Sequence, residues 1–153
     1  MQKSHWHLYT DGASRNNPGP SGVGICVMRE GKIVAKHGHA VGNKTNNQAE
    51  YLALLVGLWY INKVAQQGDQ VSVFADSQLL IRQMQGLYKV KNPDLQILQR
   101  AAYHLLMPYE YGLYHVYREE NSVADALANE GLDKKIVVPA AFKEEMRVHG
   151  VSI

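Results

Sequence analysis

Four carboxylates stand where a fold could bring them together: Asp11, Glu50, Asp76 and Asp125. Asp11 and Asp76 close strand-like runs. Glu50 and Asp125 fall in the first turns of helix-like runs. Each also has a local explanation. Asp11-Gly12 is a common turn pair. Glu50 lies three residues after Asn47, a helix-capping spacing. Asp76 could cap a helix beginning near Ser77. Asp125, three residues after Ser122, sits where a helix dipole favours an acid. In a parallel α/β sheet, however, strand ends and helix starts gather on one side, and there the four acids would form one site. Two like charges about 4 Å apart repel by roughly 4 kcal/mol at an effective dielectric near 20. Divalent cations relieve that repulsion. Oxygen-only donors suit Mg²⁺ or Mn²⁺. No paired-cysteine or His-x-x-x-His spacing points to zinc.

The elements that must position these acids follow from periodicity and punctuation. Residues 4–11 read as a strand stopped by Asp11-Gly12, and Ala13 to Gly22 as a shaped loop around Asn16-Asn17-Pro18-Gly19-Pro20. Residues 22–29 and 33–42 are strands joined by a short hairpin at Glu30-Gly31-Lys32. From residue 46 the apolar period becomes helical, through Leu52, Leu55, Val56, Trp59 and Tyr60, with Gly68 as the expected C′ residue. Val71 to Ala75 is a strand, Ser77 to Gln85 a helix, Asp94 to Met107 a helix, 111–118 a strand and Glu119 to Leu132 a helix. The order β-β-β-α-β-α-α-β-α predicts one α/β domain, a mixed sheet flanked by helices. Residues 1–133 are expected to form it. Residues 134–153 form a tail that packs on it through Phe142, Met146 and Val148, with Ile136-Val137-Val138 adding a strand or surface packing.

Composition sets the outer limits. A chain of 153 residues can bury a core as one domain. With 46% hydrophobic and 20% charged residues it reads as soluble and globular. No apolar run approaches a membrane span, and the N-terminus lacks a signal-peptide pattern. The one cysteine, Cys26, cannot pair within the chain, so a cytoplasmic location is expected. A formal charge of +2 permits nucleic-acid binding without requiring it.

The residues beside the acids narrow the reading. The chain contains Tyr9-Thr10-Asp11-Gly12 and Asn16-Asn17-Pro18-Gly19-Pro20. It contains Thr45-Asn46-Asn47-Gln48-Ala49-Glu50 and Ala75-Asp76-Ser77-Gln78. The last segment is Arg118-Glu119-Glu120-Asn121-Ser122-Val123-Ala124-Asp125-Ala126-Leu127-Ala128. In order and spacing these segments resemble type 1 ribonuclease H over residues 5–132. The resemblance implies a ribonuclease H-like fold with a five-stranded mixed sheet flanked by helices. It implies metal-dependent hydrolysis of the RNA strand of an RNA–DNA hybrid, leaving 5′-phosphate and 3′-hydroxyl ends, through two Mg²⁺ ions, with Mn²⁺ as a substitute. Carried over, Asp11 would bridge both ions. Asp125 would hold the ion that activates water. Glu50 and Asp76 would hold the ion beside the leaving oxygen. Asn17, Asn46 and Gln78 would face the minor groove, where 2′-hydroxyls identify RNA, and Asn47 would join them in binding substrate. Thr45 and Asn92 would grip a DNA-strand phosphate without reading sequence. A monomer is expected.

Two departures from the family pattern stand out. The basic, Trp-rich insertion of many members is replaced by Gly86-Leu87-Tyr88-Lys89-Val90-Lys91-Asn92, which predicts weaker, salt-sensitive hybrid binding. The histidine loop before the final helix is missing, and Arg118 stands at the expected strand end. Arginine cannot serve as a general base, but it can orient phosphate or stabilise charge. The alternative is a surface ion pair with Glu119 or Glu120. His115 is expected inside the last strand with a structural role, and His5 and His7 in strand packing beside Tyr9. Two other functions compete: a hybrid-binding module without catalysis, and a related two-metal nuclease, with double-stranded RNA as a further substrate.

Overall fold

The computed structural model describes residues 2–153. Three antiparallel strands come first: β1 (His5–Ser14), β2 (Gly19–Arg29) and β3 (Lys32–Lys44). Then follow α1 (Asn46–Val64), β4 (Gln70–Ala75), α2 (Gln78–Met84), α3 (Pro93–Leu106) and β5 (Glu110–His115). A 3₁₀ turn (Arg118–Asn121) leads into α4 (Ser122–Asp133), and α5 (Ala140–Val148) is the last element. The strands form one sheet in the order β3-β2-β1-β4-β5, with β4 parallel to both its neighbours. This is the five-stranded mixed sheet flanked by helices that the resemblance implies.

Alternation along β1 assigns the two faces. Trp6, Leu8 and Thr10 are buried on the face that α1 covers, together with Val23, Ile25 and Val27 of β2 and Val71, Val73 and Ala75 of β4. Leu8 packs so closely on α1 that a Cβ on Gly57 would lie 2.8 Å from its Cδ1. The opposite face carries His7, Tyr9 and Asp11. On β1 it stays partly open: His7 and Tyr9 pack against Phe74, whose ring stacks in turn against Tyr114.

On that second face glycine makes room for α4. Asp11 pairs with Gly24, which pairs with Gly38. A Cβ on Gly24 would lie 2.0 Å from the Ala124 carbonyl oxygen, and one on Gly38 would lie 2.0 Å from that of Leu127. The helix therefore rests on sheet backbone, with Ala124 and Ala128 buried against it. Asp125, in its first turn, is thereby brought into the same cleft as Asp11 of β1.

Several boundaries depart from the sequence reading. The loop expected over Ala13 to Gly22 shrinks to residues 15–18, because β1 runs to Ser14 and β2 begins at Gly19. Pro20 is tolerated in β2 because its pairing with β1 ends at Ser14↔Ser21. The Asn17-Pro18 peptide is cis. The hairpin tip is two residues, Glu30 and Gly31, both at positive φ. Gly68 is not the C′ residue of α1; that helix closes at Ala65, and Gly68 sits at φ +90° in the turn before β4. β5 stops at His115, so Arg118 opens the 3₁₀ turn rather than ending a strand. Residues 140–148 form a helix that the sequence reading does not contain.

The tail lies on the domain. Ala40 N donates to Ile136 O at 2.6 Å, and Ala40 and Val137 form a parallel bridge. Phe142 and Met146 are wholly buried, whereas Val148 is 83% exposed and contributes nothing to that contact. The end of the sheet away from the acids is closed by Asp69. Its carboxylate accepts from Trp6 Nε1 at 3.0 Å, Ser4 N at 3.1 Å and Gln66 N at 2.9 Å.

Candidate active site

The acidic cleft is built where β1 and β4 end and α1 and α4 begin. Asp11, Glu50, Asp76 and Asp125 all line it, with Asn46, Asn47, Ser77, His115, Tyr117 and Arg118 around them; its volume is about 590 Å³. Oxygens of Asp11, Glu50 and Asp76 lie within 4.8 Å of one another. Asp125 stands outside that trio but lines the same cleft, close enough to help raise the Asp11 carboxyl.

Each acid is held by its own element. Asp11 follows the last β1 residue paired with β4, and the residue is only 6% exposed. Glu50 is delivered by α1, whose N-terminus is fixed by a capping box between Thr45 and Gln48. The local role proposed for Glu50 with Asn47 is thus taken by another pair. Glu50 Oε1 instead accepts the Gly12 amide at 2.6 Å. Asp76 does not cap α2; Ser77 does, accepting from Leu80 N at 3.2 Å. Asp76 is left free to face the cleft. Asp125 lies in the first turn of α4, and Asn129 donates to its carbonyl at 3.0 Å.

Burial and crowding make these acids reluctant to ionise. Burial pushes the Asp11 carboxyl up to about 9, helped by the charges of Glu50 and Asp76 and by Asp125. Burial also raises Glu50, to about 7, against the pull of the Gly12 amide. Hydrogen bonds from amides normally favour a carboxylate, so the desolvation of this pocket outweighs them. A cluster of oxygen donors that resists ionisation alone is a site whose charged form requires cations. The donor set of three convergent carboxylates, with no nitrogen or sulfur, fits a hard divalent ion.

The expected substrate residues divide into two groups. Asn46 and Asn47 line the cleft, and Asn17 Oδ1 accepts from Asn46 N at 3.0 Å, so the β1–β2 loop and the start of α1 form one rim. Gln78 is exposed at the first residue of α2, outside the cleft wall. Thr45 and Asn92 are both helix caps: Thr45 Oγ1 accepts from Gln48 N at 3.1 Å, and Asn92 Oδ1 from Asp94 N at 2.8 Å. A small cavity between these two helix starts is lined by Lys44, Gln48 and Asp94, and by Val151 and Ser152 of the tail.

Arg118 is exposed on the cleft wall. Among the described residues it makes no ion pair with Glu119 or Glu120. His115 is not confined to the strand interior; as the last residue of β5 it lines the cleft, its ring 5.9 Å from that of Tyr117. The sequence reading missed Ser77 and Tyr117 as wall residues. Ser77 was signalled only by its place after Asp76. Tyr117 carried no signal, because a tyrosine near a strand end is ordinary.

Comparisons with known proteins agree with this geometry. Residues 9–131 match a family described as reverse transcriptase-like. The chain is 45% identical over 130 residues to a ribonuclease HI of Halobacterium salinarum, covering 83% of this chain and 64% of that protein. It is 37% identical over 144 residues to a bifunctional protein of Mycobacterium tuberculosis, covering 92% of this chain and 39% of the relative. The chain thus spans less than two thirds of these two relatives. The crystal structure of the Halobacterium salinarum RNase H1 superposes with a TM-score of 0.81 at 41% identity, covering 85% of this chain and 98% of that one. LC11-RNase H1, solved in complex with an RNA/DNA hybrid, superposes with a TM-score of 0.81 at 38% identity, covering 84% of this chain and 97% of that one.

Proposed function

The chain belongs to the type 1 ribonuclease H family, and on that premise we propose that it hydrolyses the RNA strand of RNA–DNA hybrids, leaving 5′-phosphate and 3′-hydroxyl ends. One observation carries the proposal: three carboxylates converge within 4.8 Å beneath a rim of asparagines. The same fold in LC11-RNase H1 binds an RNA/DNA hybrid.

Asp11, Glu50 and Asp76, with Asp125 beside them, are the residues that would hold two Mg²⁺ ions, or Mn²⁺ in their place. Bound there, the ions supply charge stabilisation for the entering and leaving oxygens of an in-line displacement. The remaining work belongs to the chain. Asp11 lies centrally, near enough to Glu50, Asp76 and Asp125 to feel all three. Asn17, Asn46, Asn47 and Gln78 offer neutral donors and acceptors suited to 2′-hydroxyls. Thr45 and Asn92, at the starts of α1 and α3, flank the place for a DNA phosphate. Arg118, in no ion pair among the described residues, orients the scissile phosphate and stabilises its charge; it moves no proton.

Residues 1–133 constitute the nuclease domain and 134–153 its packed tail. The protein acts as a monomer in the cytoplasm, where its free, buried Cys26 stays reduced. No described helix is long and apolar enough to cross a membrane.

The deciding experiment is a substrate panel of labelled hybrid, double-stranded RNA and double-stranded DNA, each with Mg²⁺ and with Mn²⁺. Cleavage of the hybrid's RNA strand, lost in Asp11→Asn, is expected. Hybrid binding without cleavage would instead make the chain a binding module, and cleavage confined to duplex DNA would make it another kind of two-metal nuclease. The short segment 86–92 leaves double-stranded RNA as a secondary substrate in the same panel.

A further inference from the structure

Asn121 occupies the N-cap position of α4, yet its side chain makes no capping bond to that helix. Asparagine is among the best N-caps, and a cap contributes about 1 kcal/mol. Here the side chain turns away and donates through Nδ2 to the Thr10 carbonyl at 2.9 Å. Asn121 and Thr10 are each 1% exposed. The remaining polar atoms of the pair, Asn121 Oδ1 and Thr10 Oγ1, have no protein hydrogen-bond partner. Local helix stability and full polar satisfaction have both been set aside for this one long-range bond, which spans 111 residues of sequence.

Its location gives the reason. Thr10 is the last β1 residue paired with β4 and immediately precedes Asp11. Asn121 lies one turn of helix before Asp125. The bond therefore ties the segment carrying Asp125 to the residue next to Asp11, at the level of the cleft. Glycine contacts fix how deep α4 sits: Gly24 and Gly38 admit its backbone, and Gly131 lies against His39 N. Further along α4, the exposed Arg15 donates to Asn129 Oδ1 at 3.2 Å and pairs with Asp133 at 2.8 Å. Among the described residues, Asn121 is the buried side chain that ties the start of α4 to β1 by a directional bond.

We propose that Asn121 is a positioning residue that sets the spacing between Asp125 and Asp11, and through it the affinity of the site for divalent cations. The proposal rests on the metal-dependent reading of the cleft. Partners that orient ligands without touching the metal typically govern affinity by 10- to 100-fold, and about ten-fold is expected here.

The test compares wild type, Asn121→Ala, Asn121→Ser and a stability control, Phe142→Leu, which perturbs the buried tail contact far from the cleft. Mn²⁺ binding is measured by calorimetry without nucleic acid, and kcat and half-saturating hybrid concentration are measured at one fixed Mg²⁺ concentration that half-saturates the wild type. Asn121→Ala is expected to bind Mn²⁺ about ten-fold more weakly and to lose kcat at an unchanged half-saturating hybrid concentration. Phe142→Leu is expected to lower Tm with wild-type Mn²⁺ affinity. Asn121→Ser, whose hydroxyl is too short to reach Thr10, should follow alanine and serves where alanine does not fold. Wild-type Mn²⁺ affinity in a folded Asn121 variant would overturn the proposal. So would an equal loss in Phe142→Leu at matched Tm. Failure of the wild type to cleave hybrid would overturn the functional reading alone, since the calorimetric comparison needs no substrate.

Discussion

The Gly12 amide donates to Glu50 Oε1 at 2.6 Å, joining the residue after Asp11 to the second acid of the cleft. The bond is possible only because α1 comes down onto bare backbone. A Cβ on Gly12 would lie 2.3 Å from the carbonyl carbon and oxygen of Ala49 and 2.5 Å from Glu50 N. These are backbone atoms of a capped helix and have no easy way to retreat. One glycine thus sets the separation of two metal-ligand candidates.

Gly12→Ala is therefore expected to cost stability and activity together. Overpacking a close contact destabilises by about 1–3 kcal/mol or more, and here the displaced element carries Glu50. Asp11→Asn should behave differently. It removes a carboxylate that resists ionisation, so it should lose cleavage while keeping or raising Tm. Thermal melts and hybrid cleavage on the two variants check the contrast; a Gly12→Ala protein with wild-type Tm and turnover would contradict it.

The acids make stability depend on pH in a defined direction. Asp11 is raised to about 9 and Glu50 to about 7 in the folded chain. In the unfolded chain both return to the ordinary carboxylate range, about 4. Between those limits the unfolded state releases protons that the folded state keeps. Their contribution is thus fully present below pH 4 and is lost as pH rises, through about 7 for Glu50 and about 9 for Asp11. In chelator, Tm should decline from pH 5 to pH 9 more steeply in wild type than in Asp11→Asn. Mg²⁺ should restore most of the loss at pH 9, because binding requires the deprotonated ligands. Parallel pH profiles for the two proteins would refute the assignment.

Much of this site is readable in the sequence, and the reasons are local. A strand that ends in an acid keeps its register, so Asp11 and Asp76 could be placed from alternation and punctuation. The helix starts near residue 46 and at Asn92 were equally legible, although the first is capped by Thr45 with Gln48 and not by Asn47 with Glu50. The hidden part is long-range. Nothing near Gly24 or Gly38 announces that a helix a hundred residues later will rest on them. Nothing in Asn121 distinguishes a cap from a clamp on Thr10. Helix α5 was invisible for a different reason: its apolar residues are few, and only Phe142 and Met146 find partners. β5 ends at His115, three residues before the composition suggests: Val116 still donates to the Ala75 carbonyl, and Tyr117 keeps an aromatic, strand-like composition beyond it.

The glycine bed under α4 yields a comparison between two alanine substitutions. In Gly24→Ala the new methyl would meet the Ala124 carbonyl oxygen at 2.0 Å. The helix that bears Asp125 would have to lift. In Gly31→Ala nothing lies within 4 Å, and the cost is confined to a φ of +75° at the hairpin tip. Gly24→Ala should lower Tm and also weaken cleavage and metal affinity. Gly31→Ala should lower Tm by about 1 kcal/mol equivalent or less and leave both functional readouts alone. Equal effects of the two on turnover at matched stability would show that α4 tolerates displacement.

Tail packing can be tested by cutting and by substitution. Phe142 is completely buried and meets Trp59 edge to face, with centroids 5.8 Å apart. Phe142→Ala should cost about 3–5 kcal/mol, the usual range for a buried aromatic. Truncation after Lys135 removes that ring, Met146 and the Ile136 carbonyl that receives the Ala40 amide. It should lower Tm at least as far. Val148→Ser, at an 83% exposed position, should change nothing measurable. Truncation carries a further consequence that Phe142→Ala does not share. It also deletes Val151 and Ser152, which wall the cavity between the starts of α1 and α3. If the tail serves stability alone, the two variants should bind hybrid equally at a temperature where both are folded. Weaker, more salt-sensitive binding by the truncated chain would show that its end also shapes the cavity proposed to take a DNA phosphate.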